Sequence, residues 1–144
     1  MPDSSRKDAL AQATRTGFGR FLIAVYAVFA VAATSRSVVQ LTTRFDDAPL
    51  AYILSAVAAV VYIIATIGLA RATEASRRVV TVSCIIELVG VLAIGALSYV
   101  QPDDFPEATV WSHFGQGYVF IPVVLPIAGL WWLRRTSLHV SANT

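Results

Sequence analysis

Charged residues are scarce in this sequence, and their scarcity narrows the class of protein. Asp, Glu, Lys and Arg make up 14% of the 144 residues, whereas a soluble domain carries about 25%. A soluble domain of this size has too much surface for so few charged residues to keep it in solution. The shortage disfavours intrinsic disorder, and a formal net charge of only +2 disfavours nucleic-acid binding.

Cysteine and histidine are also rare. Cys84 is the only cysteine, which excludes an internal disulfide and any metal site built from several cysteines. The two histidines, His113 and His139, fall on opposite sides of the membrane in the topology derived below, so they cannot bind one metal or haem together. The motifs of zinc proteases, serine hydrolases, phosphate loops and dinucleotide folds are missing. We therefore predict no catalytic residue, metal or cofactor. These absences weaken the case for an enzyme, for example a lipid-modifying one, without closing it.

Hydrophobic residues, in contrast, make up 56% of the chain, and the mean hydropathy is +0.66. They concentrate in four stretches, near residues 18–41, 50–70, 79–100 and 111–133. About 20 apolar residues in a helix cross the roughly 30 Å hydrocarbon core of a lipid bilayer. The predicted fold is all-α, a polytopic four-helix transmembrane bundle over residues 18–135, with tails at 1–17 and 136–144.

The first and last stretches are irregular. Arg36 interrupts the first one, which either continues as a helix to about Leu41, is short, or is a secretory signal with an Ala-x-Ala cleavage pattern at residues 30–32. A retained helix is favoured because the apolar run resumes after Arg36. Pro122 and Pro126 interrupt the last stretch, so it is predicted to be one bent helix. Such a bend is either a packing kink or a broken-helix site of the kind found in transporters.

Basic residues indicate the orientation, because cytoplasmic loops are enriched in Lys and Arg. All but two of the 11 basic residues lie in the N-terminal tail, the connection between spans two and three, or the C-terminal end. These residues are Arg6, Lys7, Arg15, Arg20, Arg71, Arg77, Arg78, Arg134 and Arg135. Both termini of this cell-membrane protein are therefore expected in the cytoplasm. Trp131 and Trp132 then lie at the inner boundary and Trp111 near the outer one, as interfacial anchors.

Glu87 interrupts the third stretch near the middle of the bilayer. A charged side chain there costs several kcal/mol, so its helix face, which includes Ser83, is expected to turn inward. Tyr62 lies at about the same depth and is predicted to hydrogen-bond the carboxyl. Glu87, Tyr62 and Ser83 form the candidate intramembrane polar site. Two alternatives remain open: a neutral acid that pins two helices together, or a member of a proton or cation relay.

A second candidate site lies toward the outer side. Arg36 and Gln40 are four residues apart and share a helix face. Arg36 either extends toward lipid phosphate or joins Ser112, His113 and Gln116 around an outward-facing polar cavity. Such a cavity could hold an anionic or hydrogen-bonding lipid group. The candidate outer site comprises Arg36, Gln40, His113 and Gln116.

Three segments of the sequence resemble a group of small four-span integral membrane proteins of actinobacteria. They are FDDAPLAYILSAVAAVVY at residues 45–62, IELVGVL at 86–92 and FPEATVWSHFGQGYVFIPVVLP at 105–126. The similarity extends between Gly17 and Arg135 and leaves out both tails. The resemblance implies a cell-membrane location and a tetraspan body, and neither favours nor excludes transport.

Two hypotheses of function follow from these observations. In the first, the chain is a non-enzymatic membrane subunit that binds a partner protein or another copy of itself. Ala51, Ser55 and Ala59 recur every four residues, a spacing that permits close helix approach in lipid, although it is equally typical of alanine-rich filler. In the second, the chain is a small oligomeric carrier or channel for a proton, ion or small solute, with Glu87 in its path.

Overall fold

The structure is a computed structural model that describes Ser5, Asp8 and residues 17–104, 109 and 111–143, with side chains as far as Thr136. The predicted N-terminal tail therefore lies almost entirely outside the described residues, as does the side chain of His139. All regular structure among the described residues is helical, which confirms the all-α prediction.

Four α-helices follow one another along residues 17–143. They are α1 (Gly17–Thr43), α2 (Pro49–Arg71), α3 (Glu74–Val100) and α4 (Ile121–Asn143). Three short 3-10 helices lie between them, at Phe45–Asp47, Pro102–Asp104 and Ser112–Tyr118. Because α4 continues to Asn143, the residues predicted as a C-terminal tail form its last turns.

Tight connections arrange the first three helices side by side. Pro49 begins α2, where its missing N–H is not needed. Ala72 ends α2 in the left-handed conformation and donates its backbone N–H to the carbonyl of Gly68. Thr73 then caps α3: its hydroxyl accepts from the Ser76 backbone N–H, and the Ser76 hydroxyl accepts from the Thr73 backbone N–H. We call this end of the bundle the Arg77 end, and the opposite end, with the Phe45–Asp47 turn, the Asp47 end.

Three helices are long and apolar enough to cross a membrane. They are α1, α2 and α3, with 27, 23 and 27 residues and peak mean hydropathies of 1.8, 2.4 and 2.4. Even the shortest is about 35 Å long, which exceeds the hydrocarbon core. Large apolar side chains cover the outside of the bundle, including Val31, Val60, Val89 and Val124, each more than half exposed. Such a surface belongs in lipid, so the chain has the features of a multi-pass membrane protein.

The last stretch is not the single bent helix that we predicted. Ser112–Tyr118 and the helix from Ile121 meet at 96°, so they are either a broken fourth span or a re-entrant loop. The break lies at Val119 and Phe120, which have φ angles of 58° and 60°, rather than at the prolines. Pro122 lies in the first turn of α4, where proline costs little. The apolar part of α4 up to Leu133 is only about 20 Å long and does not cross the core alone.

Small residues allow the helices to pack closely. α1 packs mainly on α2, α2 on α3, and α3 on both α4 and the Ser112–Tyr118 segment. The predicted stripe of Ala51, Ser55 and Ala59 is buried. The protein's own helices therefore cover this stripe, and it is not left open on the outer surface.

Candidate functional site

Glu87 is the central residue of α3 and is 0% exposed, so its predicted inward orientation is confirmed. The Tyr26 hydroxyl, on α1, donates a hydrogen bond of 2.9 Å to Glu87 Oε2. The same hydroxyl lies 3.3 Å from Cys84 Sγ, one turn away on α3. Tyr26 itself is completely buried. A carboxyl group removed from water needs such partners, and α1 supplies the first of them.

The two predicted neighbours of Glu87 lie nearby but do not bond it. Ser83 is buried on the same side of α3, yet its hydroxyl donates to the carbonyl of Val79 at 2.9 Å. Tyr62 is also buried, and its ring packs against that of Tyr26, with centroids 6.2 Å apart. The direct Tyr62–Glu87 hydrogen bond that we predicted is not formed. Tyr26 takes that place, and a tyrosine midway along an apolar run was the signal that could have identified it.

Three buried polar atoms in this region have no hydrogen-bond partner among the described residues: Glu87 Oε1, Tyr62 Oη and Trp111 Nε1. They come from α3, α2 and the start of the Ser112–Tyr118 segment. The Tyr62 ring packs against Tyr26, whose hydroxyl bonds Glu87, and the Trp111 ring lies on Gly90, one turn from Glu87 on α3. The three side chains are therefore buried neighbours, and we call them the Glu87 cluster.

Trp111 is not the interfacial anchor that we predicted. It is 3% exposed, and its ring lies on Gly90, where a methyl group would come within 2.8 Å of it. Phe114 lies in the same way on Gly95. The prediction was wrong because the polypeptide folds back along α3 after the Asp47 end, and two glycines provide notches for its aromatic rings.

Backbone bonds and side-chain caps hold this returning segment. Thr109 donates its N–H to the Ser112 hydroxyl at 2.8 Å, and the His113 N–H donates to Ser98 Oγ at 2.8 Å. His113, Phe114 and Gly115 then have φ angles of 52°, 59° and 80°. Residues other than glycine in this left-handed region cost about 1–3 kcal/mol each. The docked segment is therefore held against backbone strain by its contacts with α3.

A polar cavity of about 550 Å³ opens between α1 and this segment at the Asp47 end. The side chains that line it are Arg36, Thr109, Ser112, His113, Gln116 and Tyr118. Arg36 Nη1 donates a hydrogen bond of 2.8 Å to the Tyr118 hydroxyl, which joins α1 to the segment. We call this space the Arg36 cavity.

The predicted outer site is thus divided between two spaces. Arg36, His113 and Gln116 line the Arg36 cavity. Gln40 lines a neighbouring cavity of about 450 Å³ with Arg36 and Arg44. Arg36 borders both spaces. Tyr118 is the partner that the sequence analysis did not identify, because it lies 82 residues from Arg36 and no local pattern pairs the two.

The Arg77 end is closed by a contact between α3 and α4. Arg77 is buried and donates to the carbonyl of Leu133 at 2.9 Å and to the Thr136 hydroxyl. Its guanidinium also lies 5.3 Å from the centre of the Trp132 ring, a cation–π distance. Arg77 therefore ties the beginning of α3 to the second half of α4.

The chemistry available in the described residues is that of hydrogen bonding. No group of three or more His, Cys, Asp or Glu side chains in this part of the chain is arranged to hold a metal ion. The Glu87 cluster can accept and donate hydrogen bonds or hold a proton, and the Arg36 cavity can bind a polar group. No protein-family model, curated protein or solved structure matches this chain.

Proposed function

We propose that the chain crosses the cell membrane four times and that both termini lie in the cytoplasm. The distribution of basic residues supports this orientation, and the bent pair after α3 supplies the fourth crossing. The first helix is retained in this proposal, since α1 contributes Tyr26 to the buried acid and Arg36 to the cavity. Cleavage after Ala32 would remove Tyr26 and leave Glu87 without its hydrogen bond.

Within the membrane we propose a non-enzymatic subunit that binds a partner protein, or a second copy of the chain, through the Arg36 cavity. The observation that carries this proposal is convergence: α1 and a segment about 75 residues later in the chain enclose one polar space. That space opens at the Asp47 end, where the proposed orientation exposes it to the exterior. Its polar lining suits a polar loop or side chain of a partner.

Photo-crosslinking in the native membrane tests this proposal. A photoreactive amino acid replaces Gln116, which is exposed beside the cavity, and the matched control replaces Val57, which is exposed on the apolar side of α2. We expect a reproducible protein adduct at position 116 and only lipid adducts at position 57, identified by mass spectrometry. Lipid adducts alone at both positions would contradict the subunit proposal.

A second candidate is an oligomeric carrier or channel for a proton, ion or small solute. The observation that favours it is the Glu87 carboxyl, which lies at mid-helix and whose Oε1 has no hydrogen-bond partner in the part of the chain that the structure describes. Intramembrane acids in such positions often mark transport paths. Proton or cation flux into vesicles reconstituted with the purified chain is the assay. We expect Glu87→Gln to abolish flux and Glu74→Gln, at the start of α3, to retain it. Equal flux in both variants would remove Glu87 from the path.

A further inference from the structure

The Glu87 cluster contains complementary hydrogen-bonding atoms that no partner among the described residues satisfies. Trp111 Nε1 is only a donor, an ionised Glu87 Oε1 is only an acceptor, and Tyr62 Oη is both. All three atoms are buried and lack a hydrogen-bond partner among the described residues. Native proteins rarely leave such atoms unsatisfied, and a buried water typically makes about three hydrogen bonds to groups of this kind.

The Trp111 N–H, which can only donate a hydrogen bond, indicates what the cluster would bind. A metal cation cannot accept a hydrogen bond from the Trp111 N–H, whereas a water molecule can accept that bond and donate to the carboxyl. Titratable groups around Glu87 are Tyr26 from α1, Tyr62 from α2, whose ring packs on Tyr26, and Cys84 on α3 itself. None of these three carries a positive charge that would neutralise the carboxylate. Water is therefore the ligand that fits these atoms. Through it, a proton could reach the carboxylate.

Trp111 links this cluster to the residues that line the Arg36 cavity. Its ring lies on Gly90, which is three residues, or about 4.5 Å along the helix axis, from Glu87 toward the Asp47 end. Its neighbours Thr109 and Ser112 line the cavity. The cavity and the cluster thus meet at the same short stretch of chain.

We propose that Glu87, Tyr62 and Trp111 form a buried site for one water molecule that carries protons to and from Glu87. This water exchanges with the Arg36 cavity when the Trp111 ring leaves Gly90. The left-handed backbone at His113 and Phe114 favours such movement, because the docked segment is strained. The inference deepens the second function proposed above and rests on it only for the physiological use of the proton.

Cys84 provides a native probe of water access. It is the only cysteine, it is buried, and its sulfur lies 3.3 Å from the hydroxyl that bonds Glu87. Deuteration of its S–H group is followed by infrared spectroscopy after the full-length chain in lipid vesicles is transferred to D2O. Trp111→Ala should speed this exchange at least about tenfold, because it removes the closing ring. Trp132→Ala is the matched control: it removes a buried tryptophan at the Arg77 end and should leave the rate unchanged.

A second pair of variants keeps the test valid if Trp111→Ala does not fold. A methyl group at Gly90 would lie 2.8 Å from the Trp111 ring and displace it, whereas one at Gly17 meets nothing within 4 Å. We expect Gly90→Ala to accelerate exchange severalfold over Gly17→Ala. The proposal is overturned if neither Trp111→Ala nor Gly90→Ala accelerates exchange, or if Trp132→Ala does so equally.

The unfolding equilibrium constant of the Tyr62→Phe variant tests whether the Tyr62 hydroxyl binds a water molecule. If the Tyr62 hydroxyl is truly unsatisfied, its removal relieves a burial cost and leaves the unfolding equilibrium constant unchanged or lower. If it binds the proposed water, the constant rises about threefold or more. Neither readout requires transport. Fast deuteration of Cys84 without proton or cation flux in the same vesicles would contradict only the carrier function. If neither variant accelerates deuteration, only the proposed water site is contradicted.

Discussion

The Tyr26 hydroxyl is the only observed hydrogen-bond partner of the Glu87 carboxyl among the described residues, so its removal measures what holds the acid in place. Tyr26→Phe keeps the ring and its packing against Tyr62 but deletes the 2.9 Å bond to Glu87 Oε2 and the 3.3 Å contact with Cys84. Net hydrogen bonds are worth about 0.5–1.5 kcal/mol between neutral groups and about 1.5–3 kcal/mol to charged ones. Pairs inside bilayers average about 0.6 kcal/mol and reach about 1.7 kcal/mol.

Tyr26→Phe should therefore lower the free energy of unfolding by about 1–2 kcal/mol, near the top of the bilayer range. The value is high because the other carboxyl oxygen already lacks a partner among the described residues. The assay is reversible unfolding in mixed micelles with increasing denaturing detergent, followed by circular dichroism. Tyr99→Phe is the control, since Tyr99 is 59% exposed and should show almost no change.

A double variant separates the hydrogen bond from packing. Replacing both buried polar partners with apolar groups is often nearly neutral. Tyr26→Phe combined with Glu87→Leu should thus be more stable than the sum of the two single changes predicts. The proposed role of Tyr26 is wrong if Tyr26→Phe matches Tyr99→Phe and the double variant shows no departure from additivity.

Three further predictions follow from other contacts. Gly95→Ala should destabilise the fold by about 1–3 kcal/mol in the same unfolding assay, because its methyl group would overlap the Phe114 ring. Arg77→Ala should cost about 2–3 kcal/mol, since it breaks two hydrogen bonds to α4, whereas the exposed Arg78→Ala should cost less than about 0.5 kcal/mol. In a chain lacking the native cysteine, a membrane-impermeant thiol reagent added outside cells should modify Asp47→Cys and spare Arg78→Cys; the reverse pattern would invert the proposed topology.

The first three helices could be predicted because each is set by local chemistry. Pro49 marks the start of α2, and Thr73 with Ser76 caps α3 beside Arg71 and the basic pair that follows. Between these signals the apolar runs are long enough to cross a bilayer. A helix in lipid must satisfy its backbone internally, so length and composition are nearly sufficient for this part of the fold.

The region after α3 could not be predicted in the same way. Its apolar composition favoured one bent span, but the segment folds back and its rings enter notches at Gly90 and Gly95. Those notches lie 21 residues before Trp111 and 19 residues before Phe114, and no local pattern pairs them with these rings. The break at Val119 also uses a left-handed conformation that propensity disfavours for a β-branched residue.

The two candidate sites show the same division. Glu87 was identified from its charge alone, because one acid in an apolar run must be buried or paired wherever the helix lies. Its partner was misassigned, since equal depth in the membrane does not specify which of several tyrosines points toward it. Helix rotation and crossing determine that choice, and they place Tyr26 rather than Tyr62 against the carboxyl.

Residue chemistry along the chain was enough to establish an all-helical protein with long apolar segments and one carboxyl group that must be buried or paired. This is because the free energy of moving each side chain into lipid depends mainly on that side chain. Contacts between distant residues were needed to close the Glu87 cluster with Trp111 and to enclose the Arg36 cavity with Tyr118. Those contacts depend on how side chains fit together across helices, and shape complementarity of that kind is a property of the assembled bundle.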